Sequence, residues 1–237
     1  MMIISLVGQK GGGGKSTCCW VLTQAALARA EDTSVLLVET DNQGSTAAFV
    51  SAAHAAYPDL QDRLYCEKAR TDDELNDLLT KADEGGISFV FVDTAGEHSD
   101  LARDVMSMSD RILIPVKPVL HEYHSQLATL ATYDALKKSF EEEGDEIAPC
   151  GLLLNQYNPT KRLTKEQAEA LGEITEHPMI LKFFLPFKTN FETLGSGRIL
   201  IKEREAAASR GDGLEKRRLD ADIAEATTIL TSIEGMK

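Results

Sequence analysis

The chain has 237 residues, of which 43% are hydrophobic and 27% charged, and its formal net charge is −13. This length and composition suit one soluble globular domain over residues 1–237, because two full domains would be cramped. The acidic balance argues against a generally basic nucleic-acid binder. The N-terminus lacks a charged leader, and no apolar run approaches the roughly 20 residues that span a membrane. We therefore expect a cytoplasmic protein, for which association with the nucleoid is a possibility.

Apolar runs typical of strands alternate with helical patterns along the whole chain. The first run, residues 2–7, precedes a glycine-rich loop and a helical pattern that continues to residue 30. Further strands are predicted at residues 34–39, 87–92, 111–116, 151–154 and 180–184, and helices near 71–84, 99–108, 121–143, 163–176 and 213–234. This alternation predicts an α/β fold: a doubly wound, mostly parallel sheet with helices on both faces.

The loop after the first strand reads Gln-Lys-Gly-Gly-Gly-Gly-Lys-Ser-Thr over residues 9–17. Glycines let backbone N–H groups turn toward a phosphate, and the following helix N-terminus adds partial positive charge. Lys15 is expected to reach the β- and γ-phosphates and the Ser16 hydroxyl to bind Mg²⁺. The strict Walker pattern fails, because it requires glycine where Gln9 stands. The expected nucleotide-binding residues of the loop are Gly11, Gly12, Gly13, Gly14, Lys15, Ser16 and Thr17.

The loop instead matches the deviant form Lys-Gly-Gly-x-Gly-Lys-Ser/Thr, in which the first lysine is Lys10. This form resembles the ParA/MinD superfamily of dimerising P-loop ATPases, and the resemblance extends to about residue 187. It implies that Lys10 crosses to the phosphates of a partner subunit in an ATP-sandwich dimer. It further implies ATP and Mg²⁺ as cofactors, and slow ATP hydrolysis that a partner protein stimulates.

Two aspartates end predicted strands at the sheet edge where ligands bind in doubly wound folds. Asp41 lies in a segment that resembles the Asp-x-x-x-Gly/Ser segment of the superfamily, which implies that it positions the attacking water and Mg²⁺-bound solvent. Asp93 begins Asp-Thr-Ala-Gly after a fully apolar strand and is interpreted as a Walker B aspartate that holds Mg²⁺. Ser16, Asp41 and Asp93 are thus the predicted metal site, and Lys10, Lys15 and Asp41 the predicted catalytic residues.

The resemblance also implies an adenine site. Asn155, which follows the fifth predicted strand, occupies the position that contacts the base, and a loop containing Pro186 and Phe187 is expected to close over it. An amide can pair with the N6 donor and a ring-nitrogen acceptor of adenine, which favours ATP over GTP.

The C-terminal region is more basic than the rest of the chain, with nine basic and five acidic residues between positions 182 and 218. It suggests a face for nonspecific DNA binding by a partition ATPase, although a solvated helix surface explains it equally well. The residues expected to contact DNA are Lys202, Arg204, Arg210, Lys216, Arg217 and Arg218. The expected partners are a second copy of the chain and a ParB-like protein or relaxosome component, with no membrane.

Several alternatives stay open. The chain also resembles the small VirC-type ATPases of DNA-transfer systems, in its size, its Asp-Thr-Ala-Gly switch and its Leu-Leu-Leu-Asn strand end. A MinD-like positioning ATPase that acts on a protein cargo without DNA is a further possibility. A redox ATPase resembling nitrogenase iron protein is disfavoured, because no cysteine lies between Asp93 and Pro149 to hold an iron–sulfur cluster.

Overall fold

The computed structural model describes residues 1–9, 12–41, 44–96 and 100–237, except the side chain of Asp100. Seven strands form in this part of the chain: β1 (Met2–Leu6), β2 (Val35–Glu39), β3 (Leu64–Lys68), β4 (Phe89–Asp93), β5 (Arg111–Val116), β6 (Cys150–Tyr157) and β7 (Ile180–Pro186). The helices are α1 (Lys15–Leu27), α2 (Ser45–Ala56), α3 (Asp72–Glu84), α4 (Asp100–Ser107), α5 (Leu120–Glu143), α6 (Lys165–Glu176), α7 (Thr189–Glu192), α8 (Leu200–Ser209) and α9 (Gly213–Glu234).

The strands form one sheet in the order β3-β2-β4-β1-β5-β6-β7, and every pairing is parallel. The chain leaves β1 toward β2 on one side and later crosses from β4 to β5 on the other. The strand order therefore reverses beside β1, which is where doubly wound folds open a crevice for ligands. The pairing of β2 with β4 sets Glu39 opposite Asp93 at this edge.

Two apolar cores cover the two faces of the sheet. Alternate strand residues such as Leu37 and Phe91 pack against α1, α2, α8 and α9, whereas Leu36 and Val90 pack against α3, α4, α5 and α6. Because side chains alternate across a strand, a sheet covered on both faces needs apolar residues at consecutive positions. This explains the continuous apolar runs in the sequence and confirms the predicted fold, with a sheet that is entirely parallel.

Strand β3 and the helices α2, α7 and α8 were not predicted from the sequence. Strand β3 lies at the sheet edge, and its residues Tyr65, Glu67 and Lys68 are exposed, so it lacks the apolar run of a central strand. Helix α2 is rich in alanine and buries only Thr46, Phe49, Val50 and Ala53. Helix α8 buries only Leu200 and Ala207, so its apolar stripe is too short to stand out in the sequence.

Within the described residues, none of the helices has the length and apolar character required to cross a lipid bilayer.

Candidate functional site

The glycine-rich loop connects β1 to α1 at the point where the strand order reverses. Gly12 and Gly14 have φ angles of +96° and +89°, in the left-handed region that residues with a Cβ rarely adopt. Gly14 is the N-terminal cap of α1, and no side chain caps this end of the helix. The first N–H groups of α1 are therefore left for another acceptor, an arrangement that suits an anion such as a phosphate.

Lys15 begins α1 and folds back over the loop. Its side chain is buried, and Nζ donates a hydrogen bond to the Gly8 carbonyl oxygen at 3.3 Å. Burial lowers the pKa of the Lys15 ammonium, and the negative charges of Asp93 and Asp41 oppose this effect. A phosphate beside this partly desolvated ammonium would compensate its charge better than an uncharged carbonyl does.

The back of the loop rests on side chains from β6 and α5. Asn155, which is fully buried, donates a hydrogen bond from Nδ2 to the Gly13 carbonyl oxygen at 2.8 Å. Gln126 lies so close to Gly8 that a Cβ at that position would approach its Oε1 to 2.6 Å. The loop conformation is thus fixed by buried amide side chains as well as by its own glycines.

Asp93 ends β4 and is 3% exposed. Its Oδ2 accepts a hydrogen bond from Thr46 Oγ1 at 2.8 Å, and the Ser16 hydroxyl also donates to this carboxylate. Ser16 Oγ lies 3.2 Å from Ser45 Oγ at the start of α2. A carboxylate and three hydroxyls thus meet beside Lys15, and hard oxygen groups of this kind suit Mg²⁺ that keeps most of its water.

Burial raises the pKa of the Asp93 carboxyl, while the hydrogen bonds from Ser16 and Thr46 and the charge of Lys15 act in the opposite direction. The folded protein therefore holds this proton more tightly than the unfolded chain does. For this group, stability is greatest at acid pH, falls as the pH rises past about 3.9, and is lowest above the folded pKa.

Replacing Asp93 with asparagine is therefore expected to raise the free energy of unfolding at pH 7 by about 1 kcal/mol without nucleotide. The gain should vanish at pH 3.5, where position 93 is uncharged in the folded wild-type protein as well as in the Asp93→Asn variant. Urea unfolding at the two pH values measures it, with Asp145→Asn as the exposed control. A gain that persists undiminished at pH 3.5 would contradict the assigned burial cost.

The segment that carries Asp41 is tied to the segment after β4. Ala95 N–H donates to Thr40 Oγ1 at 2.9 Å, and Arg70 donates to the Thr40 carbonyl oxygen at 2.5 Å. Thr94 Oγ1 donates to the Leu6 carbonyl oxygen at 2.8 Å. A displacement of either segment would therefore pull on the other and on the end of β1.

These features border one open cleft of about 260 Å³. Its lining residues are Gly12, Gly14, Lys15, Ser16, Thr17, Asp41, Asp93, Thr94, Lys117 and Gln156. The predicted residues Lys15, Ser16, Thr17, Asp41 and Asp93 are thus brought together. Lys117 and Gln156 were missed in the sequence, where a lone polar residue after a strand carries no signal. Gln156 has a φ of +54°, which is uncommon outside glycine.

The other predicted residues lie differently. Lys10 and Gly11 fall outside the described residues. Gly13 lies behind the cleft, where a Cβ added to it would be 3.4 Å from the Pro115 carbonyl oxygen. Pro186 is buried at the end of β7, and Phe187 is 48% exposed. Neither Pro186 nor Phe187 borders the cleft as the described residues define it.

The predicted DNA-binding residues occur on α8, α9 and the turn between them, and most are ion-paired. Lys202 pairs with Asp59 and Glu205. Arg204 and Lys216 share Asp220, and Arg218 pairs with Glu215. Within the described part of the chain, Arg210 and Arg217 are exposed and take part in none of these pairs. The excess charge of this region is therefore concentrated at two arginines.

Comparisons with solved structures identify proteins of the same fold. A structure of McdA from Cyanothece in complex with ATP is 14% identical, covers 100% of this chain and 97% of its own, and gives a TM-score of 0.63. MinD cell division protein from Aquifex aeolicus is 13% identical, with 98% of both chains covered and a TM-score of 0.59. A ParA family ATPase from Chlorobium tepidum TLS is 17% identical, covers 95% of this chain and 98% of its own, and gives 0.58.

At these identities the structures establish the shared fold. Among curated proteins, no significant match was found. The family model described as VirC1 protein matches residues 1–236, which is nearly the whole sequence. The chain belongs to the VirC1 family.

Proposed function

We propose that the protein is an ATP-hydrolysing switch that dimerises around ATP and positions DNA. The observation that carries the proposal is the single cleft in which the cap of α1, the buried ammonium of Lys15 and the carboxylates of Asp41 and Asp93 meet. A polyphosphate with a bound divalent cation supplies the charges that this combination lacks.

Each residue of the cleft has a distinct proposed role. Lys15 binds the β- and γ-phosphates, and Gly12 and Gly14 bring backbone N–H groups to them. Ser16 and Asp93 hold Mg²⁺, with Asp93 acting through bound water. Asp41 orients the attacking water beside the γ-phosphate. Mg²⁺ supplies charge neutralisation at the transferred phosphoryl group.

The adenine site is proposed at the carboxyl ends of β6 and β7. Because Asn155 Nδ2 is held by the Gly13 carbonyl, contact with the base is left to Oδ1, which is buried and has no hydrogen-bond partner among the described residues. Phe187 is exposed next to this edge and supplies an apolar surface for the base. Lys188, which follows, is anchored by Asp222 at 2.8 Å and by Glu225.

Lys10 is proposed to act in trans on the partner subunit's phosphates. A cation added from the partner would stabilise the charge that develops during hydrolysis, so that dimerisation and catalysis depend on one another. Turnover by the isolated protein is then slow, and a second protein would accelerate it by stabilising the closed dimer.

Membership of the VirC1 family favours DNA as the cargo, either in DNA transfer or in plasmid partition. Nonspecific binding would rest on phosphate neutralisation, and Arg210 and Arg217 are best placed for it because the neighbouring cations are paired. A protein cargo, as for a MinD-like ATPase, is the alternative, since net −13 opposes DNA elsewhere on the surface.

The test uses an Asp41→Ala protein, which should bind ATP but hydrolyse it slowly. Sedimentation with ATP, ADP or no nucleotide is expected to give a dimer with ATP only. Binding to duplex DNA of unrelated sequences should require ATP and weaken steeply with salt. An ATP-dependent dimer that ignores DNA would leave the switch in place and favour the protein cargo. Failure to bind ATP at all would contradict the proposed function.

Replacing Lys10 with alanine is expected to separate binding from dimerisation. In the Asp41→Ala background, the Lys10→Ala protein should bind ATP within about threefold of its parent and remain a monomer with ATP. Equilibrium ATP binding and sedimentation on the same preparation measure both. If it dimerised normally with ATP, the role in trans would be wrong.

A further inference from the structure

Lys117 is a cation in the cleft that neither the glycine-rich loop nor the two carboxylate segments include. It follows the last residue of β5, Val116, and its side chain is partly buried. Together with Gly12, Gly14 and Thr17, it borders the cleft directly. Lysines such as Lys188, Lys202 and Lys216 are paired with carboxylates, whereas Lys117 takes part in none of the ion pairs among the described residues.

The charge of Lys117 reaches the first turn of α1. Burial raises the pKa of the Cys18 thiol, Asp93 raises it further, and Lys117 is the strongest opposing charge, ahead of Lys15. Cys18 follows Thr17, whose N–H is among the groups left without a helical partner at the start of α1. The ammonium therefore adds to the positive potential at the same helix end.

The strand order determines which part of a nucleotide faces Lys117. Asp41 and Asp93 follow β2 and β4, on one side of β1, and they mark the position of Mg²⁺ and the γ-phosphate. Lys117 follows β5, and Gln156 lies near the end of β6. Both strands are on the other side of β1. A polyphosphate that lies across the end of β1 would therefore present its α- and β-phosphates to Lys117.

The charges of the described cleft agree with this orientation. Asp41 and Asp93 would be matched by a divalent cation, and Lys15 alone would then face a polyphosphate with three or four negative charges. Lys117 supplies a second ammonium on the other side of β1, which reduces that imbalance.

We propose that Lys117 is a second phosphate-binding lysine of the same subunit, which contacts the α- and β-phosphates that ATP and ADP share. This inference rests on the proposed function, because it requires that the cleft binds a nucleotide. Since both nucleotides make this contact, Lys117 contributes to affinity in either state and does not distinguish ATP from ADP.

The test compares Lys117→Gln with the wild-type protein in titrations with N-methylanthraniloyl ATP and ADP, followed by fluorescence. Loss of a charged hydrogen bond is expected to weaken both nucleotides by about tenfold, with the two ratios equal. Lys117→Arg should restore most of the affinity. The control is Lys137→Gln, which removes an exposed lysine on α5 that lies outside the cleft and should leave both affinities unchanged.

The possible outcomes separate the inference from the function on which it rests. If Lys117→Gln binds both nucleotides as the wild type does, the inference is overturned and the nucleotide site stands. If ATP alone is weakened, Lys117 faces the γ-phosphate and the proposed placement is wrong. A wild-type protein that binds neither nucleotide would overturn the proposed function together with the inference.

Discussion

Replacing Lys15 with alanine is expected to weaken ATP binding by at least about 100-fold. The ammonium is proposed to contact two phosphates, and each charged hydrogen bond contributes about 1.5–3 kcal/mol. Because about 1.4 kcal/mol corresponds to a tenfold change in affinity, the loss of both contacts gives at least about 100-fold. The hydrogen bond that Nζ donates to the Gly8 carbonyl oxygen shows that the side chain is already folded over the loop without a ligand. Little ordering of the side chain then opposes the contact with phosphate.

The same substitution should leave the nucleotide-free protein at least as stable. Burial of the Lys15 ammonium lowers its pKa, so the charged form is disfavoured in the folded state relative to water. Thermal unfolding with and without ATP measures both effects together. ATP at 100 times the wild-type Kd should stabilise the wild-type protein by about 2.7 kcal/mol, and this gain should fall to about 0.4 kcal/mol or less in Lys15→Ala. Lys137→Ala, which removes an exposed lysine, should retain it.

A Lys15→Ala protein that kept its ATP-dependent stabilisation would place the phosphates elsewhere in the cleft. A large loss of stability without ATP would instead mean that the contact with the Gly8 carbonyl stabilises the loop more than burial of the charge destabilises it. The two outcomes are independent. The first is measured by the change in stability that ATP causes, and the second by the stability of the protein without ATP.

The parts of the site that the sequence predicts are those with a local signal. Lys15 and Ser16 lie in a glycine-rich loop between a strand and a helix, and Asp93 follows a fully apolar strand. Each of these patterns arises within a few consecutive residues. The central strands are equally recognisable, because a sheet covered on both faces requires unbroken apolar runs.

Lys117 and Gln156 could not be found in this way. Their place in the cleft depends on β5 and β6 lying beside β1, and strand order is a property of the whole sheet. Strand β3 was missed for a related reason, since it lies at the sheet edge and its last two residues, Glu67 and Lys68, are charged and exposed. Such residues acquire a role only through neighbours that are distant in sequence.

Asn155 illustrates the same limit within a predicted site. Its position at the end of β6 was expected from resemblance, together with a role at the base. The structure adds a contact of Nδ2 with the main chain of the glycine-rich loop, 142 positions earlier. This contact makes Asn155 a support for the phosphate-binding loop, whatever its carbonyl oxygen binds.

Replacing Gly14 with alanine is expected to cost about 2–5 kcal/mol of folding stability and to abolish ATP binding. At φ +89° an alanine is strained by about 1–2 kcal/mol. Its Cβ would also overlap Asn155 Nδ2, so that the amide must leave the Gly13 carbonyl and a buried hydrogen bond is lost, at about 1–3 kcal/mol.

Gly44 provides a matched control, because it caps α2 at φ +73° and a Cβ there meets no atom of the described residues within 4 Å. Gly44→Ala should therefore show the backbone strain alone. The difference between the two variants in urea unfolding measures the clash with Asn155.

A double substitution tests whether that clash is the cause. In an Asn155→Ala background the space is open, so Gly14→Ala should cost no more than Gly44→Ala does. ATP binding should not return, because the loop has then lost the support of Nδ2 at Gly13. If Gly14→Ala cost the same in both backgrounds, the penalty would lie in the loop backbone itself. The backbone strain at Gly14 and the hydrogen bond from Asn155 to the Gly13 carbonyl would then contribute independently to stability.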